Sequence, residues 1–278
     1  HYMGISHVIR GEEWLLSVPK HIKLYEMLDW EIPEFAHLPL LLNPDRSKLS
    51  KRQGDVAVED YLQKGYLSEA LINFVALLGW NPGNDQELFS LDELIESFNL
   101  EKVNKAGAVF DVSKLQWMNS QYLRKLSDDD LVKFLIPYVK QAGFDISDEQ
   151  LVKKAILSVK NSIQTGNEIG NYISLFFEDE LNIVEPEALN VIKSDEAAQV
   201  IHSLYQEVQK SDKMDLNEFK TIMKNVQNKT GIKGKGLWMS VRVAMTGMTQ
   251  GPELPDIINA FCKEKIEKFL DTVIEKYI

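Results

Sequence analysis

Cysteine is nearly absent from this sequence, since Cys262 is the single one in 278 residues. One cysteine excludes an internal disulfide framework and is typical of a reducing compartment, so we predict a cytoplasmic protein. The five histidines lack the spacing of metal ligands, and we predict no structural metal. No apolar run approaches the roughly 18 residues that cross a bilayer, so we predict no membrane span. The first residues, HYMGISHVIRGEEW, lack the regions of a signal peptide.

Net positive charge is also absent, because 31 Lys and Arg residues stand against 42 Asp and Glu residues and leave a net charge of -11. This balance argues against a protein that coats nucleic acid nonspecifically. It does not exclude a selective site, because local charge sets the field that a ligand meets. Two stretches are locally basic: LLNPDRSKLSKRQGD at residues 41–55 and KTGIKGKGLWMSVR at residues 229–242.

Length and composition, with 44% hydrophobic and 26% charged residues, predict a globular protein of two or three domains. The first 60 residues are mixed in pattern. Residues 5–11 (ISHVIRG) alternate apolar and polar side chains and predict a strand, whereas residues 17–30 predict a helix. The apolar run at residues 35–44 (FAHLPLLLNP) predicts a buried strand that ends at a turn.

From residue 61 onward the pattern is almost purely helical, so the predicted fold class is mainly α with a short α/β segment before it. Capping boxes at Ser90 and Ser147 predict two helix starts, and Asp215 predicts a third. Residues 257–277 keep one helical period to the end. One further predicted helix ends at Gly79, and its apolar face comprises Leu67, Ala70, Leu71, Phe74, Val75 and Leu78.

The basic stretch at residues 41–55 is open to two interpretations, a solvated surface loop or a loop that binds an anion such as phosphate. Lys48 and Lys51 flank Ser50, so on a tight loop both ammonium groups can point the same way. They would then stabilise charge on a transferring phosphoryl or nucleotidyl group. Gly54 gives the loop freedom to open and close. The glycines at residues 231–236 (GIKGKG) fit neither the P-loop nor the dinucleotide-binding pattern.

The segment KLSKR within this stretch resembles the KMSKS loop of class I aminoacyl-tRNA synthetases. Longer blocks at residues 6–55, 65–80, 109–119 and 231–258 are similar to bacterial glutamyl-tRNA synthetase, and the resemblance covers essentially the whole chain. It implies a reaction in which ATP and glutamate form glutamyl adenylate. The glutamate is then esterified onto the acceptor end of the tRNA.

The resemblance also implies roles for residues near the start of the chain. Lys51 is expected to contact the ATP phosphates, and Lys48, Ser50 and Lys51 form the expected catalytic loop. Arg10 is expected to bind the glutamate carboxylate, for which a bidentate guanidinium is suited. The expected ATP-binding residues are Trp14, Leu40, Leu41 and Lys51, with Trp14 beside ATP and amino acid and backbone groups of Leu40 and Leu41 near adenine. Without the resemblance, Arg10 reads as a surface ion pair and Trp14 as a core aromatic residue.

Near the C-terminus the resemblance implies an anticodon-binding site at Arg242, Pro252 and Leu254. Arg can hydrogen-bond or stack on an unstacked base, and Pro and Leu can offer apolar walls. A further candidate is Ser162 in VKNSIQT (residues 159–165), where the family sorts the third anticodon base, although a plain helix end is an equal alternative. Trp238 is interpreted as a core residue in preference to a base-stacking platform.

The resemblance divides the chain into three expected domains. Residues 1–60 are the C-terminal part of a class I catalytic domain with its KMSKS-like loop, residues 61–126 a helical stem-contact domain, and residues 127–278 an all-α anticodon-binding domain. The expected ligands are ATP with Mg²⁺, L-glutamate and tRNA(Glu), with tRNA(Gln) left open as a second tRNA. We expect a monomer.

One family signature is missing, because the sequence contains no HIGH motif. The resemblance is therefore to the C-terminal portion of a synthetase, without the HIGH-containing half, and we expect this chain alone not to activate glutamate. The helical C-terminal half disfavours glutaminyl-tRNA synthetase, which reads its anticodon with β-barrels, and the glutamyl-queuosine tRNA(Asp) relative, which lacks an anticodon domain. The alternative function is a noncatalytic helical RNA-binding or scaffold module whose basic loop is only surface.

Overall fold

The computed structural model describes residues 1–49 and 57–278 and divides into two compact units, His1–Tyr122 and Leu123–Ile278. Within the described ranges the chain forms fourteen α-helices and four short β-strands, which confirms the mainly α fold class. Among these helices, none combines the length and apolar character that crossing a bilayer requires. The separation of residues 1–60 from residues 61–126 as two domains stays a prediction.

The first unit opens with a two-stranded parallel sheet. Strand β1 (His7–Gly11) pairs with β2 (Glu34–Leu38) in a register that places Arg10 opposite His37. The connection is a 3-10 turn at Glu12–Ser17 followed by helix α1 (Val18–Met27), with Pro19 in its first turn, where proline is tolerated. The predicted strand and helix are both confirmed.

The predicted single buried strand at residues 35–44 is wrong. The run forms the end of β2 and then a separate two-residue strand, β3 (Leu41–Leu42), which pairs in parallel with β4 (Ala108–Val109). Pro39 lies between them, and proline cannot donate to a ladder, so it interrupts the pairing. The apolar side chains of both strands are partly accessible, none of them fully buried.

Four more helices follow: α2 (Val58–Gln63), α3 (Ser68–Gly79), α4 (Leu91–Ser97) and α5 (Val112–Lys125), with a 3-10 turn at Leu100–Lys102. The first unit ends within α5, at Tyr122. The capping box at Ser90 is confirmed, because its hydroxyl accepts from the Glu93 amide at 3.2 Å and the Glu93 carboxylate accepts from the Ser90 amide at 2.6 Å. The main core cluster of this unit comprises Tyr66, Leu71, Phe74, Leu115 and Met118.

The apolar face predicted for α3 is partly wrong. Val75 is 54% exposed, whereas Asn73 is fully buried. The Asn73 side-chain oxygen accepts from the Phe89 amide at 2.8 Å and from the Tyr122 hydroxyl at 2.5 Å. Buried donors require an acceptor, so a polar residue replaces an apolar one at this position of the core.

The second unit consists of nine helices with a 3-10 turn at Gly166–Ile169. They are α6 (Asp128–Gln141), α7 (Glu149–Val159), α8 (Gly170–Phe177), α9 (Pro186–Ile192), α10 (Asp195–Lys210), α11 (Leu216–Thr230), α12 (Gly234–Thr246), α13 (Leu254–Ala260) and α14 (Lys263–Tyr277). Helix α10 lies at its centre and packs against α9, α11, α12 and α14.

Side-chain caps open several of these helices, and they test two predicted starts. The prediction for Asp215 is confirmed, because its carboxylate accepts from the amides of Asn217 and Glu218. The capping box predicted at Ser147 is wrong, since Asp148 caps α7 by accepting from the Leu151 amide at 2.9 Å. The Ser147 hydroxyl instead donates to Asp145 at 2.7 Å.

The single helix predicted over residues 257–277 is also wrong, because the chain breaks between α13 and α14. Phe261 leaves the helical conformation, with φ -88° and ψ 143°. Its buried ring packs edge-on against Phe176 and Phe269, with centroids 5.2 and 5.5 Å apart. The tertiary contacts of this ring override the local helical periodicity.

A nearly buried carboxylate joins α10 to α11. Glu207 is 8% exposed and accepts hydrogen bonds from Lys210 and Lys229 at 2.7 Å and from Asn225 at 2.8 Å. The hydrogen bond from Lys210, followed by those from Lys229 and Asn225, lowers the Glu207 pKa from 4.5 to about 2.

We expect Glu207→Gln to destabilise the chain by roughly 1–3 kcal/mol at neutral pH, because charged hydrogen bonds are lost. The lowered pKa makes this contribution complete above about pH 4.5, and it disappears as the pH falls toward about 2. Urea unfolding of both proteins should therefore show a stability gap that closes through this window. A gap that stays constant down to about pH 2 contradicts the assignment, and exposed Glu275→Gln is the matched control.

Gly247 ends α12 in the left-handed region, with φ +72°, and a Cβ atom there would lie 2.9 Å from the Asn182 carbonyl oxygen. Gly231 ends α11 with the same φ of +72° and has open space around it. Gly231→Ala therefore measures the backbone cost alone, about 1 kcal/mol. We expect Gly247→Ala to lower the free energy of unfolding by more, because it adds the clash. Equal losses in urea unfolding would contradict this account.

Candidate functional site

Arg10 is held by four side chains of the first unit. Its Nε donates to His37 Nε2 at 3.3 Å, and its Nη2 lies 3.2 Å from His21 Nδ1. A guanidinium only donates, so both imidazole nitrogens accept. Its Cζ also lies 5.7 Å from the ring centre of Trp14 and 5.5 Å from that of Phe35, within cation–π range.

This environment orients the Arg10 charge without neutralising it. Among the described residues, no carboxylate forms an ion pair with Arg10. The interpretation of Arg10 as a member of a surface ion pair therefore finds no support in that part of the chain. The core position suggested for Trp14 is wrong, since its side chain is 52% exposed. The arrangement is a partly buried cation with an open aromatic neighbour, which suits an anionic ligand.

The start of the basic stretch is a tight turn. The amide of Asn43 donates to the Ser47 carbonyl at 2.8 Å, and Arg46 adopts a left-handed φ of 65°. Asp45 accepts from both the hydroxyl and the amide of Ser47, and these hydrogen bonds lower the pKa of its carboxyl below the ordinary value. These hydrogen bonds therefore fix the backbone conformation of residues 43–47 at the start of the basic stretch.

Lys48 follows this turn, and its side chain extends toward the 3-10 turn after β1. Its Nζ lies 3.6 Å from Glu13 Oε1, and both side chains are exposed, so this pair contributes little stability. Lys48 thus lies beside the 3-10 turn that directly follows the strand carrying Arg10. Ser50 and Lys51 lie outside the described residues, as does the rest of the predicted loop through Gly54, including its predicted mobility.

The carbonyl groups of Leu40 and Leu41 already accept one hydrogen bond each. The Leu40 oxygen accepts from the Ala108 amide at 3.2 Å, and the Leu41 oxygen accepts from the Leu49 amide at 2.9 Å. A carbonyl oxygen has two lone pairs and can accept a second hydrogen bond. Beside this segment lies a cavity of about 400 Å³, which the sequence patterns did not indicate; His37, Leu38, Pro39, Glu101 and Lys105 are among its lining residues.

In the second unit Arg242 joins α12 to the segment that precedes α13. Its Nη1 donates to the Pro252 carbonyl at 2.7 Å and lies 3.4 Å from the Gly251 carbonyl. Its Nη2 donates to Glu253 Oε2 at 3.3 Å. Arg242 and Pro252, two of the predicted anticodon residues, are therefore in direct contact.

Leu254, the third of these residues, lies on the same side of the unit. It lines a cavity of about 300 Å³ together with Arg242, Trp238, Glu253 and Pro255. Pro252 is buried and contributes its carbonyl group to Arg242. Leu254 is also buried, at 6% exposed, but it lines the cavity together with the exposed Pro255. The interpretation of Trp238 as a core residue is wrong, since it is 47% exposed at this cavity.

Ser162 lies in the turn after α7, where its amide donates to the Val159 carbonyl at 2.9 Å. Helix α7 packs against α13. Burial raises the pKa of Asp256 on α13, the Glu253 charge raises it further, and Lys160 opposes the change. The packing of α7 against α13 therefore places the helix that precedes the Ser162 turn beside the helix that follows Glu253.

Four contacting side chains were missed from the sequence, namely those of His21, Phe35, His37 and Glu253. His37 lies opposite Arg10 because β1 and β2 pair in parallel. A single sequence does not specify which short strands pair, so this contact could not be predicted. Within the described ranges, no three His, Cys, Asp or Glu side chains are placed to hold a metal ion together.

The sequence was compared with known families and proteins. Residues 1–117 match the family described as "tRNA synthetases class I (E and Q), catalytic domain", and residues 130–274 match the family described as "Anticodon binding domain". The chain is 41% identical over 284 residues to a glutamate–tRNA ligase of Alkaliphilus metalliredigens, which covers 100% of this chain and 57% of the relative. It is 43% identical over 276 residues to glutamate–tRNA ligase 1 of Caldicellulosiruptor saccharolyticus, with 98% and 57% covered.

Solved structures of glutamate–tRNA ligases have a similar fold over nearly the whole of this chain. The crystal structure of a glutamate tRNA ligase from Elizabethkingia meningosepticum, in complex with its amino acid, matches with a TM-score of 0.79 and 33% identity, covering 100% of this chain and 58% of that one. A glutamate–tRNA synthetase from Elizabethkingia anophelis matches with a TM-score of 0.78 and 34% identity, with 99% and 58% covered. This chain thus spans less than two thirds of the length of these relatives.

Proposed function

This chain belongs to the class I tRNA synthetases of the glutamate and glutamine group, and from that premise we propose that it serves glutamate–tRNA ligation. In this proposal the second unit binds the anticodon arm of tRNA(Glu), and the first unit supplies the KMSKS-like loop. The observation that carries the proposal is the contact of Arg242 with Gly251, Pro252 and Glu253 beside an exposed Trp238, within residues that match the anticodon-binding family.

The reaction we propose begins with attack of the glutamate carboxylate on the α-phosphorus of ATP, carried as its Mg²⁺ complex, to give glutamyl adenylate and pyrophosphate. The acceptor end of the tRNA then displaces AMP and becomes esterified with glutamate. Arg10 would orient the glutamate by one carboxylate, and the support for this role is its ordered guanidinium without a described acidic partner. Lys48, Ser50 and Lys51 would stabilise the phosphate charge.

Trp14, Leu40 and Leu41 would hold the rest of the nucleotide. The exposed Trp14 ring beside Arg10 supports a position next to ATP and the amino acid. We assign adenine contacts to the free lone pairs of the Leu40 and Leu41 carbonyls. The proposal includes a cytoplasmic monomer and leaves tRNA(Gln) open as a second substrate. The three-domain division and the inactivity of this chain alone also stay predictions.

The anticodon assignment is tested by RNA binding to this chain. We expect Arg242→Ala to weaken tRNA(Glu) binding by about tenfold, or ~1.4 kcal/mol, because the site loses the N–H donors of the guanidinium. Arg242→Lys keeps the charge but not the planar fork, so most of the loss should remain. Lys220→Ala, which removes an exposed cation from α11, is the matched control. Equal effects of Arg242→Ala and Lys220→Ala in fluorescence anisotropy would refute the assignment.

The catalytic loop is tested in the glutamate–tRNA ligase that carries this sequence. Lys51→Ala should lower the rate of glutamate-dependent ATP–pyrophosphate exchange by roughly 10²-fold, on the order of 3 kcal/mol, as when one charge-stabilising donor is lost. Glutamate affinity and tRNA affinity should change far less, because Arg10 and the second unit provide those contacts. A loss confined to tRNA affinity would make this loop an RNA-docking patch, as in a noncatalytic RNA-binding module.

A further inference from the structure

The guanidinium of Arg10 is held by two histidines that come from different elements of the first unit. His37 lies opposite Arg10 in the register of β1 and β2, and its Nε2 accepts from Arg10 Nε at 3.3 Å. His21 belongs to α1, and its Nδ1 lies 3.2 Å from Arg10 Nη2. Two strands and a helix therefore converge on one guanidinium, and the two hydrogen bonds together define the orientation of its plane.

These two contacts leave part of the guanidinium for a ligand. Within the described ranges they use the Nε proton and one proton of Nη2, so both protons of Nη1 and the second proton of Nη2 remain. The rings of Trp14 and Phe35, at 5.7 and 5.5 Å from the Arg10 Cζ, attract the cation without using an N–H donor. The adjacent Nη1 and Nη2 atoms form a fork that fits a carboxylate.

The two imidazoles must be neutral for this arrangement to exist. A guanidinium only donates, so His37 Nε2 and His21 Nδ1 carry no proton, and each ring carries its proton on the other nitrogen. A protonated imidazole could not accept and would place a second positive charge beside Arg10. A carboxylate in the same place would accept, but it would compete with the carboxylate of a ligand for the cation. Neutral imidazoles thus orient the Arg10 guanidinium and leave its charge uncompensated.

We propose that His21 and His37 are positioning residues for glutamate. As neutral acceptors they hold Arg10 in the orientation in which Nη1 and Nη2 bind a glutamate carboxylate. Each histidine acts through Arg10, because an arginine that is oriented beforehand loses less rotational freedom when the ligand binds. This inference rests on the proposed contact of Arg10 with glutamate and names the residues that set the geometry of that contact.

The protonation of the two rings is tested on this chain itself. We expect a ¹H–¹⁵N spectrum of the imidazoles at about pH 8 to show His37 protonated on Nδ1 and His21 protonated on Nε2, as the two hydrogen bonds require. The chain has five histidines, and His37→Gln and His21→Asn each remove one set of signals and so identify it. A His37 ring protonated on Nε2, or a His21 ring protonated on Nδ1, contradicts the inference.

The positioning role is tested by ATP–pyrophosphate exchange in the glutamate–tRNA ligase that carries this sequence. We expect His37→Leu and His21→Leu each to raise the KM for glutamate by about tenfold, because Arg10 loses an acceptor that orients it. The KM for ATP should stay within about twofold of the wild-type value, because the proposed ligand of Arg10 is glutamate. His202→Leu, which changes an exposed histidine of α10, is the matched control.

Conservative variants separate this role from a merely structural one. The side-chain oxygen of Gln can replace His Nε2, and that of Asn can replace His Nδ1, so His37→Gln and His21→Asn keep the acceptor. Both should keep the KM for glutamate within about threefold of the wild-type value. A structural role would instead raise the KM for ATP together with that for glutamate, without rescue by these two variants, and that pattern overturns the proposal.

Arg10→Lys shows whether the histidines act through Arg10. Lysine keeps a positive charge but lacks the planar fork that two imidazoles can hold in one orientation. On this background His37→Leu should raise the KM for glutamate by less than about twofold, far below its effect on the wild type. Full additivity of the two changes would mean that His37 acts independently of Arg10, and the positioning role would be refuted.

Arg10→Ala separates this inference from the function on which it rests. If Arg10→Ala leaves the KM for glutamate unchanged, the proposed contact of Arg10 with glutamate fails, whatever the histidines do. If Arg10→Ala raises this KM by about tenfold or more but His37→Leu and His21→Leu do not, the contact stands and the positioning role is wrong. If the Leu variants melt early, the ring protonation and the Gln and Asn variants decide.

Discussion

The guanidinium of Arg242 holds together the surface of the second unit to which we assign RNA binding. Arg242 projects from α12 and holds the carbonyls of Gly251 and Pro252 and the carboxylate of Glu253, all in the segment that leads into α13. Gly247 sits at the end of α12 in a conformation that other residues adopt at a cost, and so it turns the chain toward this segment. The segment that Arg242 holds includes Glu253 and leads directly into Leu254 and Pro255, which line the cavity of Trp238.

The two arginines of the proposed sites are held in different ways, and the difference fits their proposed ligands. Arg10 is oriented by the neutral acceptors His21 and His37 and by aromatic rings, so its full charge remains for a carboxylate. Arg242 forms an ion pair with Glu253 and donates to the carbonyls of Gly251 and Pro252, so part of its charge is compensated within the protein. In our proposal the same residue type therefore serves two kinds of recognition, set by the groups around it.

The sequence predicted helices and strands well where neighbouring residues determine the structure. The strand containing Arg10, the capping box at Ser90 and the helix start at Asp215 follow from alternation and side-chain caps, and all three are confirmed. The failures have tertiary causes. Asn73 is buried because Phe89 and Tyr122 need an acceptor, and the helix break follows from the packing of Phe261.

The candidate sites could be predicted only in part. The resemblance supplied Arg10 and Arg242, but not the partners that orient them, because those partners come from other strands and helices. The exposure of Trp238 was missed because a tryptophan at helical spacing usually lies in a core. Residues 50–56 of the basic loop lie outside the described structure, so the roles of Ser50 and Lys51 rest on the sequence alone.

Binding of the anticodon arm beside Arg242 and Trp238 is the central claim, and the indole N–H signal of Trp238 tests it most directly. The chain contains five tryptophans, and Trp238→Phe identifies this signal in a ¹H–¹⁵N spectrum. On titration with the anticodon hairpin of tRNA(Glu), the account predicts that the Trp238 signal shifts in step with binding and does not shift with a hairpin of scrambled loop sequence. A hairpin that binds fully while this signal stays unchanged would contradict the account.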